Sequence, residues 1–529
     1  MTKTYDAAII GGGHNGLVAA FYLARTGRSV VVLERRSIVG GACVTETFHP
    51  GFRNSSLSFV MSYLRPEIIK DMALEERGLE ATMMRGGFFP FPDGRYLLST
   101  GDSDHDRAEI AKFSNHDTAG LDRLDAVLTP LADFLAKQMT KIPPKLASGG
   151  LGAALDWARM GLDVKGLDEN LRHRLMLILT ESATGFLSRY LESDEAKLGY
   201  VLGVTSGFLV DVDAPATALR LIQSRVGQFD GVRGAWGLPM GGMGAITQAM
   251  AEAAEAKGVE IRTGTSVAKV VVEGGRAVGV RLDNGDVIRS RTVLSNADPK
   301  RSFLDLVDKA NLDPEFRADM AAYKTGGGGF RMNVALSELP DFTCLSGKKE
   351  PGPQHSGTIH ICPSLDYIRA AYDDARRGDW AREPIIDAMI PSLYDDSLAP
   401  PGKHVMMMNC RFHPRDLSGG RSWHDVKHQA AEALIDTMTR YAPNFRDAVL
   451  GYNALSPLDL EEEYGLTGGD GFHGQYHLSQ MFHLRPHPRA SGHRTPLAGY
   501  YLCGSGAHPG GGVSGIPGSN AAKVVLRDL

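Results

Sequence analysis

The chain has 529 residues, too many for one ordinary core, and its length suggests roughly three to four domain-sized units. Its 43% apolar and 22% charged content is that of a soluble globular protein, and a formal net charge of −5 leaves no basic footprint for nucleic acid. Cys43, Cys344, Cys362, Cys410 and Cys503 are odd in number and never spaced C-x-x-C, which argues against a disulfide framework and for a reducing compartment.

The first stretch, "YDAAIIGGGHNGLVAAFYLARTGRSVVVLERR", has an order that physics explains. Residues 5–10 form an apolar run suited to a strand buried on both faces. Gly11, Gly13 and Gly16 follow in G-x-G-x-x-G spacing. The first glycine makes the tight turn, the second lets backbone approach a pyrophosphate, and the third lets a helix pack closely on the strand. Residues 16–26 read as that helix, closed by Gly27, and its N-terminus favours phosphate. Residues 29–33 are a second strand, with Glu34 at its end to accept hydrogen bonds from a ribose. Strand, glycines, helix, strand and acid in this order predict dinucleotide binding; the bland alternative is a chance glycine turn. Arg35 and Arg36 suggest a 2′-phosphate, but Glu34 would repel one. His14, Asn15 and the glycines interrupt the apolar run, and no cleavage pattern follows, so no signal peptide is expected. No apolar run anywhere reaches the roughly eighteen residues of a membrane span.

Just past Glu34 lies "IVGGACVTE", with Gly40 and Gly41 adjacent and Ala42 after them. With this doublet the sequence resembles the flavoproteins that include phytoene desaturases and carotenoid isomerases. The resemblance spans nearly the whole chain and is most specific at the N-terminal unit, at 239–299 and at 499–522. It implies non-covalent FAD and an α/β fold: a Rossmann-like FAD/NAD(P)-binding domain of glutathione-reductase/amine-oxidase type with a discontinuous α+β substrate domain. The FAD-binding domain would comprise 1–75, 232–300 and 488–529. The substrate-binding domain, with a helical insert, would comprise 76–231 and 301–487. The resemblance also implies that Gly11, Gly13, His14, Asn15, Gly16, Glu34, Arg35, Gly40, Gly41 and Ala42 contact the cofactor, the doublet running beside the pyrophosphate and ribityl chain.

In the helical insert, Leu121, Leu124, Leu128, Leu131, Leu135 and Met139 recur at three and four, an amphipathic helix whose stripe is core. "RHRLMLILTESATGFL", from Arg172, reads as an apolar membrane lip, a homodimer contact or a buried core helix. Residues 239–299 read as loop, helix, strand, hairpin and return strand, with hairpin-turn chemistry at Asp283, Asn284 and Gly285. Gly242 and Gly244 lack a preceding apolar strand and read as a loop-to-helix entry. The resemblance returns this segment to the cofactor, with backbone near Val267 at the adenine. "SNADP" at 295–299 then leads to the substrate domain. Beyond it, "FRMNVALS", "GTIHIC" and "HVMMMNCRF" read as strands, while Val426, Ala430, Leu434, Met438 and Tyr441 mark a helix. The methionines at 406–408 read as sheet core rather than a metal site, and the glycines at 326–329 as a bend between domains.

"GFHGQYHLSQMFHLRPHPRASGH" carries His473, His477, His483, His487 and His493. Their spacings match no zinc pattern, and Pro486 and Pro488 point to a loop entering a pocket, so no metal is expected. The resemblance brings this loop over the flavin. It makes His473, His477 and His508 candidate pocket residues, one acting as acid or base near neutral pH. Arg485 reads as orienting an anionic or polar substrate group, or as a surface salt bridge. Cys43 alone follows the glycine doublet, so a dithiol disulphide reductase is excluded and Cys43 and Cys503 read as packing residues.

The ending, "YYLCGSGAHPGGGVSGIPGSNAAKVVL", reads as strand, glycines and helix. Gly510, Gly512 and Gly515 repeat the fingerprint literally, but too few residues follow for a second Rossmann unit. The resemblance implies that this ending closes over the flavin, with Gly504, Ser505, Gly515 and Ile516 as cofactor contacts. The last helix would then favour negative charge on the ring by about 0.3 to 2 kcal/mol. Pro517 suits a first helical turn.

The expected function is an FAD-dependent oxidoreductase, a dehydrogenase/desaturase or flavin-mediated isomerase. It would act on an apolar or amphipathic small molecule by hydride transfer to flavin N5, with an unknown electron acceptor. Two alternatives stand beside it: an FAD-bound regulatory or partner-binding protein with little turnover, and an FAD-dependent amine oxidase. The expected location is cytoplasmic, with peripheral membrane contact left open, or the mitochondrial matrix in a eukaryote, although no transit peptide is seen.

Overall fold

A computed structural model describes residues 3–143, 151–347 and 350–529. The first strand, Thr4–Ile10, lies inside a seven-stranded sheet, flanked in parallel by Val30–Leu33 and Val287–Ser295. Glu260–Arg262 extends one edge in parallel, and the meander Val267–Glu273, Arg276–Leu282, Val287–Ser295 supplies antiparallel pairing. Tyr500–Leu502 joins Val287–Ser295 in parallel, so the two ends of the chain meet in one sheet. The central strands are buried on both faces, which is why they read as unbroken apolar runs. Asp283 and Asn284 precede Gly285 at φ +92°, and this turn joins the last two strands of the meander.

The first helix is His14–Ala24, two residues earlier than the sequence suggests. Extended backbone at Gly13 ends the loop, and the Leu17 N–H donates to the Gly13 carbonyl at 3.0 Å to open the helical ladder. The last helix, Ile516–Asp528, packs along it.

A second seven-stranded sheet orders as Val449–Leu455, Phe330–Leu336, His404–Cys410, Ile386–Met389, Thr358–Ile361, Gly87–Pro90 and Tyr96–Ser99. Alternation divides its faces. Phe330, Met332, Val334, Met406, Met408 and Cys410 pack on one side with Val426, Leu434 and Met438 of the helix Trp423–Tyr441. The methionine run is therefore sheet core on that side, while Met407 faces a cavity on the other. Of the glycines at 326–329, Gly327 and Gly328 pack against neighbouring main chain. A Cβ on Gly327 would lie 2.2 Å from the Gly469 carbonyl oxygen.

The leucine stripe lies on Asn115–Met139, where Leu124, Leu128, Leu131 and Leu135 join a core shared with Asp194–Thr205 and Leu219–Gln223. In Glu169–Thr180, Ile178 is buried and Met176 is 60% exposed, so this helix is neither wholly core nor wholly lip. Among the described residues no helix is long and apolar enough to cross a membrane.

Candidate functional site

The fingerprint loop is built by close approach. Gly11, at φ +93°, donates its N–H to the Leu33 carbonyl at 2.8 Å. A Cβ on Gly16 would sit 2.4 Å from the Gly11 carbonyl oxygen, and one on Gly13 would sit 2.7 Å from Asn296 Nδ2. Only glycine therefore lets the helix N-terminus meet the strand end. The buried Glu34 accepts the Gly12 N–H at 2.8 Å on Oε2 and the Arg36 N–H at 2.9 Å on Oε1. Each oxygen keeps a lone pair for a ribose hydroxyl.

The glycine doublet is zipped to this loop. Gly40 bridges Gly13, donates its N–H to the Gly12 carbonyl at 2.9 Å, and has φ +127°. Gly41 follows at φ +58°, and the Ala42 carbonyl accepts the Ser58 N–H at 3.0 Å. On the other side, the Glu34 carbonyl accepts the Thr265 N–H at 2.8 Å, which brings the start of the strand Val267–Glu273 beside the acid.

The C-terminal segment completes the same site. Asn15 Nδ2 donates to Ser505 Oγ at 3.2 Å. Gly504 abuts Asn296, where a Cβ would lie 2.5 Å from the carbonyl oxygen. His14, Ala42, Ser505, His508 and Gly512 all line one cavity of about 860 Å³, which continues to the second sheet and the helical insert. Gly515, at φ +71°, and Ile516 instead pack at the root of the last helix, against Ile68 and near Tyr63, outside that cavity.

These residues fit an FAD. The helix N-terminus and the glycine cradle suit its diphosphate, and Glu34 suits its ribose. His14 Nε2 and Asn15 Oδ1 are buried at the cradle without hydrogen-bond partners, as polar groups awaiting a ligand would be. Arg35 is committed elsewhere. Its Nη2 donates to the Glu462 and Glu463 carbonyls at 2.9 and 2.6 Å, at the C-terminal end of the helix Pro457–Tyr464.

The histidines divide. His508 is buried in the cavity wall, with Nε2 donating to the Gln138 carbonyl at 3.3 Å and Nδ1 unpartnered. Burial pushes its imidazolium down to about 3, so it is neutral and a poor base at neutral pH, contrary to the sequence expectation. His473 sits beside the cavity rather than in its wall, next to His14, and burial and Arg485 hold it at about 4. His477 is exposed, 3.1 Å from Lys324 Nζ and bonded to Ser479, and takes no part in the cavity. The surrounding loop turns outward there because Gln480, not His477, anchors it to the Lys324 main chain.

Arg485 is fully buried and is neither a substrate clamp nor a surface ion. It donates to the carbonyls of Phe472, Gly474, Gln475, Gln480 and Ser505 and pins the histidine loop to the glycine tail. All five cysteines are free; Cys43 bonds the Met243 carbonyl at 3.1 Å, and burial pushes its thiol up to about 12. Among the described residues no cluster of His, Cys, Asp and Glu could hold a metal ion.

Sequence reasoning missed the polar residues on the second sheet's cavity face: Arg331, His360, Asp387, Asn409 and Arg411. Asp387 takes an ion pair from Arg411 Nη2 and a 2.7 Å hydrogen bond from His360 Nδ1. Burial alone would raise its pKa, but Arg411 and His360 hold it below the usual carboxylate range. A polar residue inside an apolar strand, as in "FRMNV" and "MMNCR", was the available signal.

The family description "flavin containing amine oxidoreductase" matches residues 16–329. The chain is 36% identical to pyridine nucleotide-disulfide oxidoreductase domain-containing protein 2 of Rattus norvegicus, over 99% of this chain and 94% of that protein. It is 24% identical to the neurosporene-forming phytoene desaturase of Cereibacter sphaeroides, over 98% and 94%. Among solved structures, cyclohexylamine oxidase from Brevibacterium oxydans covers 99% of both chains at 16% identity, with a TM-score of 0.59, a likeness of fold. A glycine cradle closed by the chain's own C-terminus, together with these full-length matches, places the chain in the flavin containing amine oxidoreductase family, as an FAD-dependent oxidoreductase of a small-molecule substrate.

Proposed function

We propose that the protein dehydrogenates, or isomerises through its flavin, an amphipathic small molecule held in the 860 Å³ cavity. The observation that carries this reading is the shared wall. His14, Ala42 and Gly512 of the FAD cradle line the same cavity as Met389, Met407 and Phe472. In this reading residues 1–75, 232–300 and 488–529 form the FAD-binding unit, and 76–231 with 301–487 form the substrate-binding unit.

Bound FAD supplies the hydride acceptor, which is the hard part of the chemistry. The chain's own residues hold and orient. The glycine cradle and Glu34 fix the cofactor, and the apolar wall excludes water from the substrate's carbon chain. Neutral His508 keeps its Nε2 proton on the Gln138 carbonyl, which leaves Nδ1 as a hydrogen-bond acceptor rather than a general base.

The reading is tested by anaerobic mixing of the FAD-loaded protein with a series of dodecyl and longer-chain acids, alcohols and amines. Loss of the flavin absorption band supports turnover. Binding with neither loss of the band nor recovery of an isomerised chain across the series favours the regulatory alternative instead.

A further inference from the structure

The cavity wall carries a charge imbalance. Arg85, Arg220, Arg233, Arg331 and Arg411 line it, and among the described residues Asp387 is its one carboxylate. Arg233 is paired with Asp133, and Arg411 with Asp387. Arg220 lies 4.2 Å from the Phe208 ring centroid and 5.0 Å from that of Tyr476, and bonds only uncharged acceptors, among them Gln223 Oε1 at 3.2 Å.

Arg331 is the least satisfied. It stands on the strand Phe330–Leu336 directly opposite Asn409; Asn409 in turn faces Asp387, and Asp387 faces His360. Residues directly opposed across antiparallel strands share a face, so these four make one polar row across the cavity side of the sheet. Both oxygens of Asp387 are taken by Arg411 and His360. Arg331 Nη1 and Asn409 Nδ2 are buried with no hydrogen-bond partner among the described residues. The guanidinium has the Phe59 ring 5.2 Å away and, among the described residues, no ion-paired carboxylate; Asp387 acts on it only at a distance. Burial lowers it to about 10, so it remains a cation at neutral pH. Arg331 is half-buried, but its Nη1 and the neighbouring Asn409 Nδ2 are both buried donors, and such donors are costly unless a ligand completes them.

We propose that Arg331 and Asn409 form an oxyanion subsite that holds a carboxylate or phosphate group of the substrate, while the methionine and aromatic wall takes its carbon chain. This rests on the cavity being the substrate site. It separates the protein from the amine oxidases that share its fold, because a protonated amine would face a wall with an excess of arginines. It also separates it from enzymes of pure hydrocarbons, which leave such a pair unmatched.

Isothermal titration of the FAD-loaded protein with dodecanoate, dodecyl phosphate, dodecanol and dodecylamine, each below its micelle concentration, tests the subsite. At least one of the two anions is expected to bind about tenfold or more tighter than dodecanol, with dodecylamine the weakest. Whichever anion is preferred identifies the group as carboxylate or phosphate. Arg331→Met should erase most of that preference and leave dodecanol binding in place. Arg331→Lys should fall between, since one ammonium lacks the planar fork. Dodecanol binding as tightly as both anions in the wild type would overturn the subsite while the apolar cavity stood. So would an Arg331→Met protein of normal FAD content with undiminished anion preference. Failure of every probe to bind would overturn both the subsite and the cavity reading.

Discussion

Gly518 in the last helix lies against the main-chain carbonyl of Asn15 in the first, so closely that a Cβ would sit 2.1 Å from that oxygen. The contact locks the glycine tail to the fingerprint, and Asn15 reinforces it through Ser505. Gly518→Ala must push the two helices apart, at a cost of about 1 to 3 kcal/mol. Urea midpoints and FAD per chain should both fall. Gly161→Ala, on a helix with no atom within 4 Å of the new Cβ, should leave FAD per chain unchanged and raise the midpoint, by about 1 kcal/mol of helix propensity.

Glu34 holds two main-chain N–H groups through its two oxygens and is placed to receive ribose hydroxyls. Glu34→Gln removes the charge and one acceptor. Reconstitution of the apoprotein with FAD should weaken by about tenfold or more, the size of one charge-assisted hydrogen bond. An unchanged titration would remove Glu34 from the cofactor site.

Arg485 binds five main-chain carbonyls from two segments that the chain order leaves unconnected. Arg485→Met leaves those oxygens buried and unpaired, and should cost at least about 3 kcal/mol. The expected readout is a lower unfolding midpoint with FAD lost early in the transition. Arg485→Lys should recover part of both. A Met variant of full stability would return Arg485 to the role of substrate ligand.

His413, His493 and His508 are buried neutral, and burial holds their folded pKa values at about 4, 4 and 3. Each value lies below the unfolded one of about 6.5, so the unfolded chain binds protons first as pH falls. Their contribution is complete above about pH 6.5 and declines by about 1.4 kcal/mol per histidine per pH unit below it, until each folded pKa is passed. Chemical denaturation between pH 7 and pH 5 should show this slope, and His493→Gln should make it shallower by one proton.

The cofactor half of this architecture was legible because its signals are local. Strand, glycines, helix and acid lie within residues 4–34, and the closing strand and helix keep the same grammar at the C-terminus. The cavity face was not legible, because its meaning lies in cross-strand register. Arg331, His360 and Asn409 sit in segments that read correctly as strands, yet nothing local aligns them, and Asp387 lies in a stretch without a clear pattern. Arg485 misled for the same reason. Only the folded loop supplies the carbonyls that bury it. His477 shares its loop with His473, but the Gln480 anchor leaves it facing solvent.

In the proposed function the substrate reacts in the cavity that joins the FAD cradle to the second sheet. Met407 is buried in its wall, away from the cradle residues, so Met407→Trp fills the space without touching Gly11, Gly13 or Glu34. The decisive measurement is the anaerobic rate of flavin bleaching by the best amphipathic reductant of the dodecyl series, in wild type and in Met407→Trp at equal FAD content. The filled variant is expected to lose at least about tenfold in rate, from lost positioning of the reacting atoms. Equal rates in the two proteins would contradict that reading.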